Sequence, residues 1–390
     1  MHAPLTSRRI DPSSWPMMTL FVIIHLACFG AFFTGVSWGD FALCIALYAI
    51  RMFGVTAGYH RYFAHRAYRT GRVMQFLLAC LAQSSLQSGA LWWAAKHRDH
   101  HKYSDTPLDA HSPRQYGFWF SHMGWIFNRQ AAAADYGRVP EFTQYPELRF
   151  IDKHHWIPGA ILGFSVWLIG GWSALVVGFF WSTVLLWHGT FCINSLVHVF
   201  GRQRYLTGDD SRNNWLFALL SLGEGWHNNH HYYMASARQG FRWWEVDITY
   251  YVLLGLKSVG LVSDLRDPPA HVLAGERQVS PEMKDRIAAL LAHSFSADRI
   301  VKRMQKRWAE LNPGQSFDDW RARWHDQLAH GREQIAQMVH PELPSLDQLY
   351  RRARKQFART PALEEIVARA REMLAQSVMM RLEAVPVPAR

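Results

Sequence analysis

Four long apolar runs constrain the fold of this chain more than any other feature. They cover residues 17–36, 41–58, 157–181 and 182–200, and Arg51 is the one formal charge within them. Each run is near the roughly 20 residues that an α-helix needs to cross a bilayer. A buried soluble core is the alternative, but four such runs within the first half of the chain favour an all-α integral membrane protein with four transmembrane helices.

The positive charges predict how these helices are oriented. The short connections at residues 37–40 and 170–173 contain no Lys or Arg, whereas arginines precede the first run and follow the second. Cytoplasmic loops carry the excess of Lys and Arg in membrane proteins. We therefore expect a multi-pass protein whose two termini lie in the cytoplasm, together with everything between the second and third runs.

Three histidine clusters lie outside or at the ends of these runs: His60–His65 (HRYFAH), His97–His101 (HRDHH) and His227–His231 (HNNHH). Residues i, i+3 and i+4 of a helix share a face, so each HxxHH cluster can direct up to three imidazoles at one point. Imidazole suits Fe, Zn, Cu and Ni, and eight clustered histidines exceed the four ligands of one tetrahedral site. Ordinary surface or core histidines are the alternative, but two copies of HxxHH are hard to reach by chance. The predicted ligands of this histidine-built di-metal site are His60, His65, His97, His100, His101, His227, His230 and His231.

The clusters can share metals only if they face the same compartment. Two runs separate the second cluster from the third, which keeps both on one side. Residues 74–93 form a further apolar stretch between the first and second clusters, but its centre reads QSSLQSG, which is unsuited to the middle of a bilayer. We therefore predict that residues 74–93 do not span, and that a cytosolic helical cap holds all three clusters.

The composition changes after residue 269, which predicts two domains: a membrane domain over 1–269 and a basic helical cytosolic extension over 270–390. Ser280-Pro281-Glu282 and Ser345-Leu-Asp-Gln348 are typical helix starts, and Thr360-Pro361 predicts another. The basic face of the extension suits an anionic lipid or an acidic protein, with nucleic acid not expected; a solvated surface is the alternative. Cys28, Cys44, Cys80 and Cys192 are predicted to be reduced packing residues.

The complete sequence motifs resemble those of the membrane fatty acyl-CoA Δ9 desaturases of the stearoyl-CoA desaturase type. The matching motifs are residues 56–66 (TAGYHRYFAHR), 97–104 (HRDHHKYS), 117–125 (GFWFSHMGW) and 223–231 (GEGWHNNHH). The resemblance covers about residues 17–269. It implies a bacterial inner-membrane enzyme that desaturates a long saturated acyl chain with O₂ at two Fe²⁺ ions.

The resemblance also implies further site residues. His198 matches a ninth histidine ligand, and Asn194 matches an asparagine that reaches the metal through water. Gln87, Trp93 and Thr190 match residues at the bend of the acyl tunnel. Where the family has Arg-Asp before the second cluster and Arg-Lys after its Gly-Trp motif to hold the CoA, this chain has Ala95-Lys96 and Arg129-Gln130. Lys96 and Arg129 are thus the expected phosphate contacts of an altered clamp, so an acyl-lipid substrate stays an alternative.

The resemblance leaves several functional questions open. The extension has neither the cytochrome b5 motif nor a dinucleotide loop, so an external donor such as a ferredoxin or a flavoprotein reductase must supply electrons. A hydroxylase on the same centre and a non-catalytic metal-binding membrane scaffold are the competing functions. Carboxylates should orient the imidazoles. The candidates for that role are Asp99, Asp105, Asp109 and Glu224.

Overall fold

The chain forms two compact units built almost entirely of helices. The computed structural model describes residues 4–5, 7–276, 279–320, 337–356 and 362–383. The first unit comprises Met1–Arg204 and Asp209–Leu273, and the second comprises Tyr205–Gly208 and Ala274–Arg390.

Sixteen α-helices of the first unit, α1 to α16, have the following bounds among its described residues. They are Trp15–Ala27, Ala31–Thr34, Trp38–Phe53, Arg72–Gln83, Ala90–Tyr103, Pro113–Tyr116, Phe118–His122, Arg129–Ala132, Pro140–Thr143, Pro146–Lys153, Ile157–Ser173, Ser182–Ser195, Trp215–Leu220, His227–Tyr232, Ile248–Ser258 and Ala270–Leu273. Two π-helical segments, Gly54–Ala64 and Ala174–Trp181, extend α3 and join α11 to α12. Short 3₁₀ turns cover Pro12–Ser14, Cys28–Gly30, Gly124–Phe127, Tyr136–Arg138 and Leu196–His198. Strands β1 (Arg69–Thr70) and β2 (Val262–Ser263) pair antiparallel, with Arg69 opposite Ser263.

Three continuous helical stretches are long and apolar enough to cross a membrane: Pro12–Thr34, Trp38–Ala64 and Ile157–His198. Gly35, with a φ of 72°, ends the first stretch in a conformation that favours glycine. Ser37 and Asp40 then start α3 with a capping box, in which each side chain binds the backbone N–H of the other residue. These local signals explain why the chain reverses between the first two stretches.

The third stretch turns back on itself at Gly171. The backbone angles of Gly171, φ 70° and ψ −160°, belong to a region that is open essentially only to glycine. Val166 before the turn packs with Ala174 and Phe179 after it. The helix is continuous through residues 181 and 182, where the two apolar runs meet, and the reversal at Gly171 falls within the connection expected at residues 170–173.

Arg51 lies fully buried within the second stretch and faces protein. Its guanidinium donates to the hydroxyls of Thr183 at 2.8 Å and Ser182 at 2.5 Å, and its Nε donates to the carbonyl of Leu47. Because these oxygens satisfy the donors, the charge does not have to reach the aqueous interface.

The apolar stretch 74–93 does not form one helix. Helix α4 ends at Gln83 after 12 residues, or about 18 Å, which is too short for a bilayer core of about 30 Å. A loop over residues 84–89 follows before α5 begins. Helix α4 is thus not among the described helices that are long and apolar enough to cross a membrane.

The second unit contains α17 (Pro281–His293), α18 (Ala297–Leu311), α19 (Leu346–Gln356) and α20 (Leu363–Glu383) among its described residues. Both predicted helix starts that fall in the described range are confirmed. The Ser280 hydroxyl accepts from the Met283 N–H, and Ser345 and Gln348 cap each other reciprocally. The predicted start at Thr360-Pro361 lies outside the described residues. All four cysteines are free thiols, as expected.

Candidate functional site

Helices α5 and α14 present the two HxxHH clusters, and the π-helical end of the second stretch presents His60. Ring nitrogens from the three clusters meet in two groups. Within each group, the nitrogens all lie within 4.8 Å of one another. The first group is His60, His65, His97, His101 and His230, and the second is His100, His198, His227 and His231.

Each HxxHH cluster divides between the two groups. His97 and His101 join the first, while His100 between them joins the second. Each HxxHH cluster therefore directs at most two imidazoles at either group, one fewer than its spacing allows. Successive helical residues diverge by about 100°, so the neighbours His100 and His101 cannot aim at the same place as easily as an i, i+4 pair can.

Within the first group the Nε2 atoms lie close together. His60 is 2.9 Å from His230, His230 is 2.8 Å from His101, and His97 lies 2.9 Å from His101 and 3.0 Å from His65. In the second group, the Nε2 atoms of His198 and His227 are 3.0 Å apart. Nitrogens this close, drawn from four different segments of the chain, converge as the ligands of a metal do.

Buried carboxylates hold the opposite nitrogen, Nδ1, of several imidazoles. Asp105 contacts His198 at 2.9 Å, Asp109 contacts His100 at 3.1 Å, and Glu224 is in close contact with His60. Three of the four carboxylates suggested by the sequence are thus in position to orient imidazoles. The fourth, Asp99, forms an ion pair with Arg138 at 2.8 Å.

Two further partners of the imidazoles could not be predicted from the sequence. Asp209 Oδ2 lies 2.7 Å from His231 Nδ1, and the Gln239 amide lies 3.2 Å from His60 Nδ1 and 3.1 Å from Glu224. Both are far in sequence from the imidazole that they contact, so no spacing rule could have found them. His111, which forms a third group with His100 and Asp109, was also missed.

The protonation of these groups fits a bound cation. Burial, reinforced by neighbouring imidazoles, lowers the pKa of His65, His97, His101, His227 and His230 well below its ordinary value, so their rings are neutral. A neutral ring carries one N–H. The remaining nitrogen of each ring is therefore free to act as a metal ligand.

His231 provides the sharpest test of that fit. Its Nδ1–H donates to Asp209, which leaves the lone pair on Nε2 directed into the second group. Nε2 is buried and has no hydrogen-bond partner among the described residues. A buried acceptor without a donor costs free energy, and a metal ion in this group would satisfy it.

An apolar cavity of about 330 Å³ lies against both groups. Leu20, Phe21 and Ile24 of α1 and Trp187 and Phe191 of α12 line its apolar part. Imidazoles of both groups also line the cavity, together with Asn194. The members of the two groups that line it are His60, His97, His100 and His227.

The three residues expected at a tunnel bend all line this cavity. The Thr190 hydroxyl lies 3.1 Å from Gln87 Oε1, which joins α12 to the 84–89 loop. The Trp93 ring stacks on the His97 ring with a centroid distance of 4.8 Å. Gln87, Trp93 and Thr190 therefore border the same cavity as the two histidine groups.

The two expected phosphate contacts differ in position. Lys96 lines the cavity and its ammonium donates to the Ala133 carbonyl at 3.1 Å; burial lowers its pKa despite the nearby Asp99. Arg129, at the start of the helix that ends at Ala132, is exposed and is not among the residues that line the cavity.

Comparison with known proteins agrees with this geometry. The sequence profile described as fatty acid desaturase matches residues 36–255. An acyl-CoA 5-desaturase of Anemone leveillei is 38% identical over 267 residues, covering 65% of this chain and 81% of that protein. The sn-1 stearoyl-lipid 9-desaturase of Anabaena variabilis is 36% identical over 259 residues, covering 65% and 94% of the two chains. The Delta-9 acyl-lipid desaturase 2 of Arabidopsis thaliana is 36% identical over 251 residues, covering 64% and 81%.

The apolar helices and the paired histidine groups define a membrane oxidoreductase of lipid metabolism. More specifically, the chain belongs to the fatty acid desaturase family.

Proposed function

We propose that this protein introduces a Δ9 double bond into a long saturated acyl-CoA with O₂. Two hydrogens leave neighbouring methylenes, and O₂ takes them up with two electrons and two protons to give two waters. The electrons come from an external donor such as a ferredoxin or a flavoprotein reductase. The observation that carries the proposal is the shared wall of the cavity, since imidazoles from both groups border the space that holds the acyl chain.

The donor set supports iron at both groups, because neutral imidazoles suit Fe²⁺. In this proposal the first group holds one ion, and the second group, with Asn194 acting through water, holds the other. Two irons bound there supply the activation of O₂ that the hydrogen removal needs. The carboxylates fix the imidazole rings, and the apolar wall excludes water from the reacting carbons.

The charge near Ala132 supports CoA as the acyl carrier. The Asn128 side chain donates to the carbonyls of Ser7 and Arg9, which holds the N-terminal segment against the helix that begins at Arg129. Arg9 and Arg129 are exposed on this side, and Lys96 reaches Ala133 from the cavity. Cations in this position suit phosphate groups.

We further propose four membrane crossings, the third and fourth being the two arms on either side of Gly171. The connections at residues 37–40 and 170–173 lack Lys and Arg, which supports their place on the periplasmic side of a bacterial inner membrane. Both termini, the histidine groups and the second unit then lie in the cytoplasm.

The test uses purified, iron-loaded enzyme with stearoyl-CoA, ferredoxin, ferredoxin reductase, NADPH and O₂, without any lipid acceptor. We expect an unsaturated acyl-CoA with its double bond at C9, and none from the His230→Ala variant. An alcohol product would indicate a hydroxylase. No unsaturated acyl-CoA from enzyme that desaturates a phospholipid in a parallel assay would assign the acyl-lipid substrate instead.

A further inference from the structure

The loop that carries Gln87 is held in an unusual backbone conformation. Leu86 and Ser88, on either side of Gln87, have φ values of 60° and 71°. This left-handed region is sparsely populated by residues other than glycine, and it persists only where the surroundings fix it. The position of Gln87 in the cavity wall therefore depends on whatever restrains this loop.

Two buried aromatic side chains supply that restraint through the loop's carbonyl groups. The Trp187 indole N–H donates to the Ser85 carbonyl at 2.8 Å, and the Tyr59 hydroxyl donates to the Ser88 carbonyl at 2.6 Å. Tyr59 is fully buried and Trp187 is 5% exposed. The loop is thus tied to the second helical stretch on one side of Gln87 and to α12 on the other.

Tyr59 also contacts the side of the site that faces the first histidine group. Its ring stacks on Trp93 at a centroid distance of 5.4 Å, and Trp93 stacks in turn on His97. Tyr59 therefore contacts both the loop over residues 84–89 and the ring that stacks on His97. The distance between this loop and the first histidine group depends on these contacts.

We propose that Tyr59 and Trp187 are positioning residues that determine which pair of carbons is desaturated. The proposal rests on the proposed function. The acyl chain is apolar and can slide along the cavity, so the loop at Gln87 must stay fixed relative to the metal-binding groups for one carbon pair to react. A displacement of roughly 1 Å is enough to change which atoms reach a reactive geometry.

The test compares Tyr59→Phe and Trp187→Phe with wild type by locating the double bond in the products with mass spectrometry. Both changes remove a donor to the loop and keep an aromatic ring. Tyr68→Phe is the matched control, because the buried Tyr68 hydroxyl also donates to a backbone carbonyl, that of Ala57 at 2.9 Å, away from the cavity.

We expect wild type and Tyr68→Phe to give one positional isomer. Each test variant should keep its metal content and place at least about a tenth of its double bonds at neighbouring positions. A single wild-type isomer from either test variant overturns the proposal. Loss of metal, or loss of all product with metal retained, also overturns it, because a loosened loop redistributes the product. No alkene from wild type would instead count against the proposed function.

Discussion

At the scale of single residues, the contact between Asp209 and His231 is the clearest example of a role that only the tertiary structure reveals. The buried carboxylate of Asp209 accepts from His231 and from both the N–H and the hydroxyl of Ser211. Burial would raise the pKa of Asp209, but these contacts hold it well below its usual range, so the group is ionised. An ionised acceptor fixes the proton of His231 on Nδ1 and leaves Nε2 for a metal.

We predict that Asp209→Asn weakens metal binding at the second group by roughly 10- to 100-fold. The amide can offer an N–H to His231, which would move the ring proton to Nε2 and block the ligand. Iron content per chain, followed during titration with a chelator, measures the effect. Asp99→Asn is the control, since Asp99 pairs with Arg138, and equal iron retention by the two variants would contradict the prediction.

At the scale of elements, the hairpin at Gly171 decides how the third apolar stretch is used. The stretch is 42 residues long, about twice what one crossing needs. The Phe179 ring lies 3.0 Å from the position that a Cβ atom would occupy at Gly163, so the two arms pack closely and antiparallel. Gly163 in one arm and the positive φ of Gly171 at the turn thus allow two closely packed helices.

We predict that Gly171→Ala lowers the free energy of unfolding by about 1–3 kcal/mol, because alanine is strained at a φ of 70° and a ψ of −160°. The melting temperature in detergent measures the change. Gly255→Ala serves as the control: Gly255 lies in helix α15, and nothing is within 4 Å of its added Cβ. That variant should be unchanged or slightly more stable. Equal melting temperatures for the two variants would disprove the strain.

At the scale of the whole molecule, the proposed chemistry belongs to the first unit alone. Every proposed ligand and every residue lining the cavity lies between residues 17 and 231 of that unit. The second unit has its own core, which includes Ile287, Leu291, Ile366 and Leu374. This core also includes Leu206, which belongs to the short segment Tyr205–Gly208 of the second unit.

We predict that deleting residues 274–390 leaves the metal content and the double-bond position unchanged and lowers the melting temperature. The loss of stability follows because Leu206 loses its apolar surroundings. Lipid profiles of cells that express the truncated chain measure the double-bond position, and full-length His230→Ala is the inactive control. The metal content and the melting temperature are measured on the purified truncated chain. A folded, metal-loaded truncated protein that makes no alkene would favour a recruiting role for the second unit.

Local sequence patterns determined much of this protein. Uncharged runs indicated which segments enter the membrane, because apolar length is a property of continuous sequence. The HxxHH spacing indicated metal ligands, because i, i+3 and i+4 neighbours are fixed by helix geometry. For the same reason, the capping sequences at Ser280 and Ser345 predicted their helix starts correctly.

Contacts between distant segments were decided only by the tertiary structure. The arrangement of α5, α14 and the second helical stretch assigns His100 to a different group from His97 and His101. It brings Asp209 to His231, and it holds Ser88 under the Tyr59 hydroxyl. Spacing along the chain cannot encode such pairs, because each depends on how separate helices pack. The sequence therefore identified the candidate ligands, and the packing of the helices determined how they are grouped and oriented.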